Sequence, residues 1–469
     1  MTKVSRFWAE DQAAALLVGT ISLFFYLITM PSGLTWAHYG VDGAELITAS
    51  FTLGVGHPPG YPVYVVLGKL FSYLPVGSIA YRYNLFSAVS MSVAAIFVSQ
   101  IVYAKQKNSH FFWSVIAGLT FALGELIWQQ AIITEVYALF MAFFAMTVWA
   151  LLTGKGAGWV GFLFGLTFVS HTTAVFLLPL ILWQTSRQKW PQLLKGVLFG
   201  LIPVLWLPLL ALGEKPIAWE NPTQLMGWWR LVTAQIYQGN AFNFTHIPIQ
   251  ARLIHWGAIW SNQFTIAGIP LAGYALYKNR HSKEKWSLYW AFVGTAVLYL
   301  LFAFFYSTDD AIVFSLPAFL FIALLLIDGV KELGRWATIL PLTLILLHFT
   351  SVNINQDRFV HQQVNNLLEQ VPQNALLETS GEAILFPLWY AKFVEHRRKD
   401  ILLFDNQLFT YSWYRNSLSI QDETLTLLGE DISQFRMQQS MKRPYCNIVS
   451  HPEKERTVQV NCQPQTHDE

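Results

Sequence analysis

Apolar residues in this chain come in long unbroken runs. Ala13 to Met30, Phe86 to Ala104, Ala131 to Leu152, Leu288 to Tyr306 and Ile312 to Ile327 each approach the ~20 residues that carry a helix across a ~30 Å hydrocarbon core. A spanning barrel would instead read as short alternating segments. The pattern therefore predicts a mainly α, polytopic bundle of about eleven transmembrane helices. In it, Trp159 to Trp183, interrupted by His171 and Pro179, forms a tight pair of short helices. After the last apolar stretch, Thr338 to Phe349, the pattern changes. Asn353, Asn355, Gln356, Asp357 and Arg358 open a polar region that continues to Glu469. Within it, Val360 to Val371 and Ile384 to Glu395 read as helices, and Ala375 to Glu378 and Ile401 to Phe404 as strands. The expected division is a transmembrane domain over 1–352, with a polar outer loop at 31–82, and a small soluble α/β domain over 353–469.

Composition agrees with a bilayer environment: 54% of the 469 residues are hydrophobic and 12% charged, with a mean hydropathy of +0.38. The formal net charge of +2 comes from scattered basic residues, which excludes a nucleic-acid partner. Lys3 and Arg6 precede the first run and no small-residue cleavage site follows it, so that run reads as a retained anchor. Basic residues mark alternate connections at Lys105 and Lys107, Lys155, Arg187 with Lys189 and Lys195, Lys278 to Lys285, and Lys331 with Arg335. This places the N-terminus in the cytoplasm, and the 31–82 loop, the 213–250 loop and the tail outside a plasma (inner) membrane. Cys446 and Cys462 fall in the tail on either side of Asn447 to Asn461, with Pro452 and Glu453 near the turn. An oxidising compartment would let them pair; two unpaired structural cysteines are the alternative. No internal repeat is visible.

The polar chemistry concentrates in the first outer loop. Asp42-Gly43-Ala44-Glu45 has the spacing of a helix-capping arrangement, with Asp42 as cap and Glu45 reaching back. A catalytic role is compatible with that arrangement, since a cap can fix an acid for catalysis. His57-Pro58-Pro59-Gly60-Tyr61-Pro62 is stiff, because proline fixes φ and Gly60 permits conformations other residues avoid. It is either a turn into the next helix or a rigid mount that holds His57 near the two acids.

These residues carry a resemblance. Asp42 to Glu45, His57 to Pro62, Leu67-Gly68-Lys69 and Arg82 to Ala88 resemble the signature of a bacterial family of polytopic membrane proteins long described as of unknown function. Its animal relatives include a transmembrane O-mannosyltransferase of plexin-type receptor domains. Glu135 to Leu139, Gly165 to His171, Leu207-Pro208-Leu209, Ala218 to Pro222 and Phe386 to Tyr390 extend the likeness over most of the chain. One departure lies in the tail, where similar proteins often carry Gly-Asp-Asn and this chain has Gly381-Glu382-Ala383.

The resemblance implies a GT-C type glycosyltransferase. Such an enzyme takes a sugar from a polyprenyl-phosphate donor and attaches it, with inversion, to a hydroxyl of a protein or cell-envelope glycan or lipid on the outer face. A carboxylate of the first outer loop is the implied base, Asp42 first and Glu45 second. No soluble nucleotide cofactor is implied, and a divalent cation is left open. A leaving phosphate calls for cations, with Arg82 ahead of Arg230 and Lys215. His57, Tyr61, Glu135, Tyr137 and His171 are further substrate-binding candidates. Against these roles stand ordinary ones: Arg82 as a headgroup anchor, Glu135 as an interface residue, and His171 as a neutral histidine satisfied by a neighbouring helix. Asp309-Asp310 reads better as a helix cap than as a cation site. A transporter of a small solute or lipid-linked intermediate shares the composition, but would concentrate its polar ligands at the bilayer midplane.

Overall fold

The structure is a computed structural model that describes residues 3–105, 110–243, 249–422, 425, 429–450 and 458–465. Lys107 and the Pro452-Glu453 turn lie outside the described residues. The chain forms two compact units, each assembled from three stretches.

The first unit comprises Met1–Met30, Asn84–Pro203 and Ile236–Asn355 and contains most of the apolar runs. Among the described residues of the whole chain, five helical segments are long and apolar enough to span a membrane: Glu10–Thr29, Ile79–Lys105, Arg187–Leu210, Lys283–Phe304 and the 42-residue Ala311–Val352. A sixth arises if His110–Ala122 and Glu125–Ala131, bent by 72°, count as one span. Leu16, Phe24, Leu194, Phe199 and Leu346 are exposed, an apolar exterior that suits lipid. The chain is a multi-pass membrane protein.

Two of the expected runs are broken. Ala131 to Leu152 is not one span, because one helix ends at Ala131 and the next begins at Tyr137. In the break, the Thr134 hydroxyl donates to Asn84 Oδ1 at 2.7 Å, and Glu135 Oε2 accepts from the Val136 N–H at 3.3 Å. Thr134 and Glu135 are the sequence signal of this interruption, set between the apolar Ile132–Ile133 and the helix that starts at Tyr137. The expected break at His171 is present, where an extended backbone of φ −163° ends the helix Ala157–Ser170. That helix lies against Trp190–Gly200 so closely that a Cβ at Gly161 would sit 2.1 Å from the Leu193 carbonyl oxygen. Only glycine allows such an approach.

The second unit comprises Pro31–Tyr83, Val204–Gln235 and Gln356–Glu469. The first outer loop thus clusters with the tail, whereas the expected division had assigned it to the transmembrane part. The loop contains two helices, Gly43–Phe51 and Pro62–Ser72. The tail contains four strands, β1 (Leu376–Thr379), β2 (Leu402–Asp405), β3 (Tyr445–Ser450) and β4 (Val458–Gln463), ordered β2-β1-β3-β4. β1 runs parallel to β2 and β3, and β3 is antiparallel to β4. Every residue of β1 and β2 is buried, as parallel strands covered on both faces require. Cys446 faces Cys462 across the β3–β4 pair, and the two form a disulfide.

This small sheet determines where the loop can rest. Helix Glu382–Trp389 and the π-turn Tyr390–Val394, which follow β1, pack against helix Gly43–Phe51. The Ala80 N–H donates to the Tyr390 hydroxyl at 3.3 Å.

Candidate active site

Helix Gly43–Phe51 begins just after Asp42, yet Asp42 makes no side-chain cap bond to it. Glu45 does not reach back as a capping box would require. Its carboxylate turns inward and is fully buried. Oε1 accepts the His57 backbone N–H and the Trp219 indole N–H, both at 3.0 Å, and Oε2 accepts His57 Nδ1–H at 3.0 Å. A buried carboxylate is costly without such donors, and here three N–H groups from two distant segments replace water.

The second acid stands differently. Asp42 Oδ2 lies 3.9 Å from His57 Nε2, and the Asp42 side chain is 34% exposed. With Nδ1–H given to Glu45, the tautomer of His57 is set, and its Nε2 is the nitrogen that faces Asp42. The imidazole therefore stands between the two carboxylates. Among the described residues no three His, Cys, Asp or Glu side chains converge on a common point that could hold a metal ion. The arrangement places an accessible carboxylate beside an imidazole whose orientation is fixed from behind.

The backbone keeps this geometry stiff. Gly60 has φ +92°, and Tyr61 has φ +44°, a region that costs a non-glycine residue. The Tyr61 ring meets His57 edge-on with centroids 5.2 Å apart, and Trp219 meets it edge-on at 6.4 Å. The Val55 N–H donates to the Ile217 carbonyl at 3.0 Å, holding the segment that carries Trp219 beside the loop. Trp219 in turn packs on Trp413 of the tail, with centroids 4.6 Å apart. Neither tryptophan was singled out from the sequence. Trp219 lies within the Ala218 to Pro222 motif, which was a usable signal; Trp413 had none.

The cations have local duties. Arg82 donates to the carbonyls of Ser72, Val76 and Gly77, clamping the turn after helix Pro62–Ser72. Arg230 pairs with Glu220 at 2.8 Å and keeps a side chain 40% exposed. Lys69 and Lys215 both reach the end of helix Gly43–Phe51, donating to the Phe51 and Thr52 carbonyls. Burial, with Lys215 nearby, holds the Lys69 ammonium below its ordinary range.

Glu135, Tyr137 and His171 belong to the other unit. His171 caps the 3-10 turn Thr172–Leu177, its Nδ1 accepting from the Thr173 hydroxyl at 2.8 Å. Its ring lies 5.3–5.5 Å from those of Tyr137, Phe140 and Phe314. Asp310 stands at the cap position of the turn Ala311–Ser315 without a side-chain cap bond, so the expected capping role is not made by its carboxylate.

Two family models match this chain. The protein O-mannosyl-transferase TMEM260 N-terminal domain covers residues 42–194, opening on Asp42, and the TMEM260-associated domain 2 covers 360–454. This chain belongs to the TMEM260 family. The protein O-mannosyl-transferase TMEM260 of Mus musculus is 28% identical over 459 residues, covering 85% of this chain and 64% of the mouse protein. The corresponding Dictyostelium discoideum protein is 24% identical over 465 residues, covering 80% of this chain and 55% of that protein. This member of the family thus spans less than two thirds of the length of either relative. Among solved structures, ArnT from Cupriavidus metallidurans bound to undecaprenyl phosphate aligns with a TM-score of 0.53 at 10% identity, over 94% of this chain and 92% of that one. The fold of this TMEM260-family chain is therefore GT-C-like, with a small C-terminal sheet.

Proposed function

We propose that this chain is a membrane glycosyltransferase that moves a sugar, most simply mannose, from a polyprenyl-phosphate donor to a hydroxyl of a protein on the extracytoplasmic face. The observation that carries this reading is the Asp42–His57–Glu45 cluster, whose three residues lie within the stretch matched by the family's N-terminal domain. The names of the curated relatives support mannose and a protein acceptor, and the lipid phosphate bound to ArnT supports a lipid-linked donor.

In this reading Asp42 is the general base. Its carboxylate takes the proton of the acceptor hydroxyl as that oxygen attacks the anomeric carbon. The bond from that carbon to the phosphate oxygen breaks with inversion, and polyprenyl phosphate departs with the bonding pair. The partial exposure of Asp42 suits a group that must meet a substrate, and the burial of Glu45 suits one that orients His57. Lys69, Lys215 and Arg230 are the cations proposed to receive the leaving phosphate, because three of the five N–H bonds of Arg82 are already given to carbonyls.

The test is transfer by purified protein in lipid nanodiscs. The substrates are radiolabelled polyprenyl-phosphate mannose, a panel of other polyprenyl-phosphate sugars, and serine- and threonine-containing peptides. Transfer by the wild type that is lost in a folded Asp42→Asn variant is expected. Transfer that depends on a free nucleotide sugar would overturn the donor assignment.

A further inference from the structure

Besides packing on helix Gly43–Phe51, the tail domain reaches the Asp42–His57–Glu45 cluster through an indole. Trp413 lies on helix Ser412–Gln421 and is nearly buried. Its ring meets Tyr414 edge-on at 5.7 Å, and the Tyr414 hydroxyl accepts the Asp405 N–H at 2.7 Å, at the end of β2. The position of Trp413 is thus tied to the sheet. On its other contact, Trp413 packs on Trp219 at 4.6 Å and 34°, and Trp219 donates its indole N–H to Glu45. A single hydrogen bond leaves an indole free to pivot, whereas a packed aromatic neighbour fixes its plane. The same Glu45 carboxylate sets the tautomer of His57.

We propose that Trp413 is a positioning residue for the transfer reaction: the tail domain uses it to hold Trp219, and through Trp219 and Glu45 it fixes the orientation of His57 beside Asp42. This rests on the reading of that cluster as the reacting site. It makes the soluble domain a working part of the site and not an appended module. The competing account is that the backbone bonds of Val55 with Ile217 and Trp219 already hold Trp219, and that Trp413 only fills space.

Two readouts on the full chain in nanodiscs separate these accounts. In ¹⁵N-tryptophan-labelled protein, the Trp219 indole N–H signal is assigned by its loss in Trp219→Phe. It is expected at low field in the wild type and in Trp413→Phe, and to move upfield in Trp413→Ala. In the transfer assay, Trp413→Ala is expected to lose about tenfold in kcat with KM almost unchanged, since small misplacements of catalytic groups act on turnover. Trp413→Phe is expected to recover most of it. If Trp413→Ala does not fold, Trp413→Leu carries the same expectations. A Trp219 signal unmoved in the aliphatic variant overturns the proposal, as does an unchanged kcat. If the wild type transfers no sugar from any donor, the functional reading fails, and the indole signal alone decides whether Trp413 positions Trp219.

Discussion

His57 and His171 are equally buried, each 7% exposed, and each stands beside a break in helical structure. Their surroundings differ. His57 gives its Nδ1 proton to one carboxylate and turns Nε2 toward another. His171 accepts at Nδ1 from a threonine hydroxyl and lies among three aromatic rings. At Nδ1 the two imidazoles thus meet different partners, an acceptor-only carboxylate in the first and a hydroxyl in the second. Burial alone does not distinguish the two rings; the charge of the groups that hold each one does. A carboxylate bonded at Nδ1 and a second one 3.9 Å from Nε2 suit a ring that carries or passes a proton, whereas a hydroxyl and ring faces suit a capping and packing one.

The sharpest way to break this contrast is at Asp42. Asp42→Asn keeps shape and is expected to lower transfer by roughly 10²–10⁴-fold, the range for a lost general base, without altering the melting transition. Near-normal turnover in that variant would move the base elsewhere. Glu45→Gln comes next. It turns an amide NH2 toward at least one of the three N–H donors of His57 and Trp219 and should cost about 1–3 kcal/mol of stability. Turnover is expected to fall about tenfold or more as His57 loses its fixed tautomer. Chemical denaturation alongside kinetics would show both. His171→Asn is the mildest for chemistry: asparagine retains cap capacity while the ring packing is lost. The melting temperature should fall, while kcat of the folded fraction stays within about twofold. A large kcat loss there would erase the distinction between the two histidines.

Much of this was legible in the sequence where the signal is local. The tail's order of helix, strand, helix and strand followed from periodicity within a few residues of the observed bounds. The pairing of Cys446 with Cys462, expected only if the tail lies in an oxidising compartment, is present. The first loop stood out because carboxylates, a histidine, prolines and glycines crowd into about twenty positions. What escaped was long-range. Glu45 finds Trp219 174 residues away, and no spacing rule connects them. The same spacing that reads as a capping box was overruled by that tertiary partner. Arg82 shows the opposite case: its phosphate-binding potential was read from charge, while backbone carbonyls only ten residues or fewer away claim its fork.

The second unit is gathered from three stretches of chain separated by membrane segments, and this affects how the protein is made. A ribosome delivers Asp42, Glu45 and His57 first, Trp219 only after several hydrophobic helices, and Trp413 later still. Until the tail has emerged and its sheet has formed, the loop lacks the surface against which helix Gly43–Phe51 packs. Assembly of this cluster is thereby coupled to emergence of the tail, so a nascent chain still short of it holds the two acids without the aromatic framework around them.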